Sequence, residues 1–148
     1  NAWAKGYKLG VQASSDHVST HTSYACVLAE SFTREGLVDA MRRRHTYAAT
    51  SNIVLDFRIQ DAETTYLQGD AFTARGAPQL LVKVFGTAPL AKIDVVRDNQ
   101  YVHSVAGAGE TADFTFRDQN RPPGEHYYYV RVLQKDGNVA WSSPVWVK

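Results

Sequence analysis

From residue 53 onward the apolar positions recur with a period of two. Ile53, Leu55, Phe57 and Ile59 alternate with Val54, Asp56, Arg58 and Gln60, and Leu80, Val82 and Val84 alternate with Leu81, Lys83 and Phe85. The pattern continues through Ile93 and Val95, through Phe114 and Phe116, and through Tyr128, Val130 and Val132. Side chains on a strand point to opposite faces in turn, so each run predicts a strand with one buried face. Asp98-Asn99 predicts a two-residue hairpin turn into Tyr101-Val102-His103, and Asp136-Gly137 a turn into Val139 to Trp141. Pro144 cannot donate to a ladder, so Pro144-Val145-Trp146-Val147 is expected as an edge or closing strand. Roughly seven short strands with turns every 8–12 residues predict an antiparallel β-sandwich of immunoglobulin-like type.

Before residue 51 the pattern is different. A short apolar, strand-like segment, Leu9 to Ala13, leads into a polar loop from Ser14 to Ser23, and a second apolar run follows from Tyr24 to Ala29. Thr33 can cap a helix that continues to about Arg44, with Glu35 in the first turn and Arg42, Arg43 and Arg44 in the last, as the helix dipole favours. Leu37, Ala40, Met41 and Arg44 recur at helical spacing, with Val38 widening the stripe. Two strands and one helix make an incomplete α/β unit, so the chain divides into residues 1–51, an α/β segment, and residues 52–148, the sandwich.

Composition narrows the function classes. The chain has 148 residues, 44% hydrophobic, with 16 Lys+Arg against 15 Asp+Glu and a formal charge of +1. This is enough apolar material for a core and excludes a disordered chain. A near-neutral balance gives no basic field for nucleic acid, and no apolar run reaches the ~18 residues of a membrane span. The lone Cys26 forms no internal disulfide and leaves the compartment open between cytoplasm and periplasm or exterior. The start at Asn1-Ala2-Trp3 fits a piece of a longer protein.

The densest chemistry lies in the loop. Asp16, His17 and His21 stand among several hydroxyls directly after the strand-like segment. A carboxylate with neutral imidazoles is a donor set for Zn²⁺, Mn²⁺ or Fe²⁺. The competing reading of the same residues is a turn stabilised by Asx and Ser/Thr side-chain bonds to backbone. No G-x-S-x-G elbow surrounds any serine, which speaks against a Ser-His-Asp hydrolase.

The string from Gly10 to Ala25, containing Ser14-Ser15-Asp16-His17-Val18-Ser19-Thr20-His21, resembles the last metal-binding motif of the PHP (polymerase and histidinol phosphatase) superfamily. More narrowly it resembles a bacterial family of unknown function related to that superfamily. In that family the motif is followed by a helix and an Arg-Arg-x-Tyr-Ala-Ala-Thr string, here Arg43-Arg44-His45-Thr46-Tyr47-Ala48-Ala49-Thr50 with one residue inserted. The tail, Gly124 to Val132 and Ala140 to Pro144, is similar as well. The resemblance implies a distorted β/α barrel, divalent metals and phosphate-ester hydrolysis by metal-activated water. It also implies that this chain is the C-terminal portion of the larger protein, with residues 1–51 the edge of that barrel.

Carried over to this sequence, the resemblance assigns Asp16 and His17 as metal ligands, with His21 as the alternative because the usual Asp-x-His spacing is here Asp-His. The opening His-x-His pair of such barrels is absent from the chain, whose histidines are 17, 21, 45, 103 and 126. The piece alone is therefore expected to be inactive and to bind no metal tightly. Its expected partner is the remainder of the parent barrel, and an uncovered N-terminal segment would favour self-association.

The alternative function is a non-catalytic sandwich that binds a partner or glycan, or supports the barrel. Tyr127-Tyr128-Tyr129 sends at least one ring to the core and at least one to the surface, where rings can stack on sugars. Trp141 and Trp146 are expected to fill the interior, Arg42 to Arg44 to bond the last helix carbonyls, and His103 and His126 to be satisfied groups rather than ligands. Cys26 reads as a small buried hydrophobe.

Overall fold

A computed structural model describes residues 2–17 and 21–148 of the chain; Asn1 and Val18, Ser19 and Thr20 of the loop motif lie outside the described residues. The chain is mainly β, and two sheets face each other across one core. The larger sheet contains β1 (Tyr24–Val27), β2 (Thr46–Ala49), β11 (Val139–Ser142), β10 (His126–Gln134), β7 (Leu90–Arg97) and β8 (Gln100–Ala106). Against the first half of β10 it adds β12 (Val145–Val147) and β5 (Ala71–Phe72). The smaller sheet has the order β4 (Thr64–Leu67), β3 (Val54–Asp61), β6 (Gln79–Phe85) and β9 (Thr111–Arg117). All pairings are antiparallel except β12 with β5.

The period-two runs supply the core. Leu55, Phe57 and Ile59 of β3 and Leu80, Val82 and Val84 of β6 meet Ile93 and Val95 of β7 and Tyr128, Val130 and Val132 of β10, all buried. The β7–β8 hairpin turns on Asp98 and Asn99, both at positive φ (50° and 65°), the backbone a primed two-residue turn demands. Polar side chains tie the sheets together inside the core. Gln68 accepts from the Phe57 N–H of β3 at 3.3 Å and donates to the Thr46 carbonyl of β2 at 3.2 Å. The Tyr47 hydroxyl donates to the Ile53 carbonyl.

Helix α1 (Arg34–Arg42) forms as expected, with the Thr33 hydroxyl accepting from the Gly36 N–H at 3.1 Å. It ends two residues before Arg44, which sits at a φ of 64° and turns the chain into β2. Arg43 pairs with Asp39 one turn back at 2.9 Å. The Arg44 backbone N–H donates to the Met41 carbonyl of the helix, whereas its guanidinium donates to the Gly69 carbonyl and lies over the Trp146 ring. Residue 51 is where the chain crosses between sheets, since β2 pairs with β11 in the larger sheet and β3 begins the smaller one.

Three local expectations are corrected. Leu9 to Ala13 form no strand: where a ladder partner would sit, hydroxyls intervene, Ser143 Oγ accepting from the Val11 N–H and Thr46 Oγ1 donating to the Val11 carbonyl. Gly10 fits here because a Cβ would lie only 3.0 Å from the Arg44 Cβ. β12 is no edge, because β5 covers its far side. The two tryptophans face away from the core. Register sets Trp141 opposite Arg131 and Trp146 opposite Tyr127, on the outer face of the larger sheet. There a strap formed by residues 3–11 crosses the sheet: Trp3 packs on Tyr127 and Tyr129 at 5.8 and 5.1 Å, and Lys8 stands over Trp146.

Burial raises the phenol pKa of Tyr47 and of Tyr128 well above the ordinary range, with the neighbouring Cys26 adding to the first and the bond to Asp118 to the second. An unfolded tyrosine titrates near about 10. The folded state holds these protons more tightly, so the associated stability is complete below about pH 10 and falls as pH rises above it. A near-ultraviolet tyrosinate titration should show two phenols ionising only with unfolding. Uniform ionisation near pH 10 with the fold intact would contradict their burial.

Candidate functional site

The loop is pinned at its neck by one hydroxyl. Ser15 Oγ donates to the Ser23 carbonyl at 2.9 Å and accepts from the Ser23 and Thr22 N–H groups at 2.9 and 3.0 Å. Ser15 is thereby tied to Thr22 and Ser23, the two flanks of the motif that carries Asp16, His17 and His21. Asp16 takes the left-handed conformation at a φ of 57°, which aspartate tolerates better than most residues. Its Oδ1 lies 2.6 Å from both the backbone nitrogen and Nδ1 of His17. The structure thus brings Asp16 and His17 into direct contact on an exposed tip, and His21 is exposed on the same loop.

A carboxylate bonded to an imidazole Nδ1–H orients the ring and leaves the Nε2 lone pair to face a ligand. The donor types suit a divalent ion of the zinc, manganese or iron kind. The number of donors does not suffice. A catalytic ion takes three or more rigidly held protein ligands, and among the described residues no three His, Cys, Asp or Glu side chains are placed to hold one.

The remaining histidines are engaged in the fold. His45 is buried, with Nε2 2.8 Å from Asp70 Oδ1. His103 stacks on Phe116, with centroids 4.6 Å apart. His126 meets Asp98 Oδ2 at 2.5 Å through Nδ1 and the Pro122 carbonyl at 2.8 Å through Nε2. A cleft of about 340 Å³ opens beside it, lined by Trp3, Gly6, Asp98, Glu125 and Trp146. Its two carboxylates are already paired, Asp98 with His126 and Glu125 with Lys8 at 3.2 Å. Cys26 is half-buried against the core, and burial pushes its thiol pKa up, away from nucleophilic use.

The three tyrosines divide as the alternation requires. Tyr128 enters the core and donates to Asp118, while Tyr127 and Tyr129 lie on the outer face beneath Trp3. Farther along that face Arg131 sits between two rings, 4.8 Å from the Trp141 centroid and 5.8 Å from that of Tyr101, and its guanidinium donates to the Tyr101 hydroxyl. Lys92 caps Tyr101 and pairs with Asp94. Cations of the chain itself thus occupy faces of the exposed rings. Sequence reasoning missed the strap and the Ser15 neck. A glycine in the middle of an apolar segment, Gly10, was the available sign of a close backbone approach.

Residues 3–63, which contain the loop, α1 and all of β3, match a family described as a protein of unknown function (DUF3604). Over 90% of its length the chain is 31% identical to an uncharacterized protein of Chlamydia pneumoniae. It is 28% identical to one of Chlamydia trachomatis and 26% identical to one of Chlamydia muridarum, over the same share. It spans 24% of the length of each of these relatives. No solved structure matches. The chain is therefore similar, across nearly all of its own length, to about one quarter of longer bacterial proteins of unknown function.

Proposed function

We propose that this chain is one part of a larger PHP-like, metal-dependent hydrolase of phosphoesterase type. In that protein the loop contributes Asp16 and an imidazole, His17 or His21, to a divalent-metal site that the remainder of the polypeptide completes. The observation that carries the reading is the Asp16–His17 contact at 2.6 Å on a loop closed by Ser15. Asp16 orients the His17 ring, and the Ser15 hydroxyl ties this side of the motif to Thr22 and Ser23. A divalent ion bound there would polarise a phosphoryl oxygen and acidify its bound water. The similarity to longer proteins gives the missing ligands a source in the same polypeptide. By itself the chain is expected to be inactive.

The test uses the full-length parent, stripped with chelator and reloaded with Mn²⁺, Zn²⁺ or Fe²⁺. Metal content and hydrolysis of a simple phosphomonoester are then measured. Asp16→Ala should weaken metal retention by roughly 10–100-fold and remove metal-dependent turnover, without shifting the thermal unfolding of the 148-residue chain. Comparison of His17→Ala with His21→Ala identifies the ligating ring. An Asp16→Ala parent with unchanged metal content and turnover overturns the reading. A partner- or glycan-binding role for the sandwich would have to draw on Trp141 and Tyr101, the exposed outer-face rings.

A further inference from the structure

We propose that the exposed face of α1 is a docking surface for another region of the same longer polypeptide, a region apolar at its centre and acidic at its rim. Helical spacing sets Leu37, Met41, Arg34, Val38 and Arg42 side by side. Ala40, the buried residue of this helix, points the other way. Met41 is 52% exposed and Val38 39%, while Phe32, just before the cap, is 96% exposed. A phenylalanine preceding the cap commonly folds back on the residue four places into the helix, here Leu37. In this chain it stands into solvent instead. The segment before it, Leu28 to Glu30, lines a groove of about 430 Å³ together with Arg58, Thr65 and Leu67. Clustered apolar side chains of this size on one face mark an interaction surface.

Two observations choose the occupant. The relatives devote about three quarters of their length to sequence outside the match, and α1 lies inside the family-matched span 3–63, so covalently attached polypeptide is at hand. Charge sets its character. Asp39 is consumed by Arg43, whereas Arg34 and Arg42 make no ion pair among the described residues. A covering surface therefore gains by bringing carboxylates to the two ends of the stripe. A second copy is a poorer fit. Packing α1 antiparallel on itself sets Arg34 of one molecule near Arg42 of the other, with only Glu35 at the rim to offset two cations. The inference needs no metal and can stand or fall apart from the hydrolase reading.

The test pairs the full-length parent with the 148-residue chain, each carrying Val38→Lys with Met41→Lys. The chain's melting temperature should stay within about 2 °C of wild type, because both sites are exposed in it. The parent's should fall by about 5 °C or more, or the parent should become insoluble while the chain does not. Arg34→Glu with Arg42→Glu should lower the parent's melting temperature and spare the chain's, through lost charge pairing. An unaffected parent in both series overturns the proposal. So does a 148-residue chain that sediments as a dimer and becomes monomeric with the lysine substitutions, since the occupant would then be a second copy.

Discussion

Gly69→Ala is expected to destabilise the chain by about 2–6 kcal/mol, through backbone strain and overpacking together. Gly69 sits at a φ of +104°, and a Cβ there would lie 2.4 Å from the Arg44 carbonyl oxygen and 2.6 Å from that of Arg43. Both obstacles are backbone, and neither can retreat cheaply. The Gly69 N–H donates to the Pro144 carbonyl, and its own carbonyl accepts from Arg44 Nε. Its neighbours are as constrained, Gln68 bridging the sheets and Asp70 holding His45. Gly109→Ala is the control, since nothing lies within 4 Å of a Cβ there. It should be neutral or stabilising by a few tenths of a kcal/mol to about 1 kcal/mol. Thermal unfolding of the two variants side by side decides the matter, and equal midpoints would mean the close approach of helix exit and β4–β5 turn is wrong.

Arg97→Ala should cost about 3–5 kcal/mol, because it strands a buried carboxylate. Asp118 is 5% exposed and accepts on Oδ2 from both Arg97 Nη1 and the Tyr128 hydroxyl, and on Oδ1 from the Asn120 N–H. Removing the guanidinium leaves two neutral donors facing an ion with little access to water. The loss arises from the orphaned charge more than from the pair's net worth. Arg97→Ala combined with Asp118→Asn should therefore recover much of the stability, since the amide oxygen still accepts from Tyr128 and carries no charge. Urea titrations of the single and double variants read the difference. A double variant less stable than Arg97→Ala would place the cost elsewhere.

These sites show what could and could not be read from the sequence. The inward faces of β3, β6, β7 and β10 were legible because burial on one face of a strand imposes a period of two, and the Asp98-Asn99 turn because few residue pairs tolerate two positive φ values. β4 and β5 were not: Thr64 to Leu67 and Ala71-Phe72 are short and mostly half-buried or exposed, so they leave no alternation to see. The tryptophans were misassigned by size. Val145 and Val147 claim the inward positions of β12, which sends Trp146 outward, and Ala140 and Ser142 do the same to Trp141. Parity, applied strictly, would have placed both rings. At the candidate site the ligand types were legible, whereas the contact between Asp16 and His17 and the Ser15 closure depend on backbone angles no spacing encodes.

The bonds that lace the strap and β2 to the chain's end join residues far apart in sequence. Val11 meets Ser143 across 132 residues, and Thr46 meets Ser143 across 97. β2 has no antiparallel neighbour on its inner side until β11 exists. During synthesis the Asp16 loop and α1 therefore leave the ribosome well before the strands that hold them, and their apolar surface must wait. Folding dominated by such distant closures is slow, because loop entropy is lost before any contact repays it. A truncation that removes only the last six residues, Ser143 to Lys148, would thus loosen the strap at the other end of the chain, because it takes away the Ser143 hydroxyl that holds Val11 and Thr46 while leaving β11 against β2.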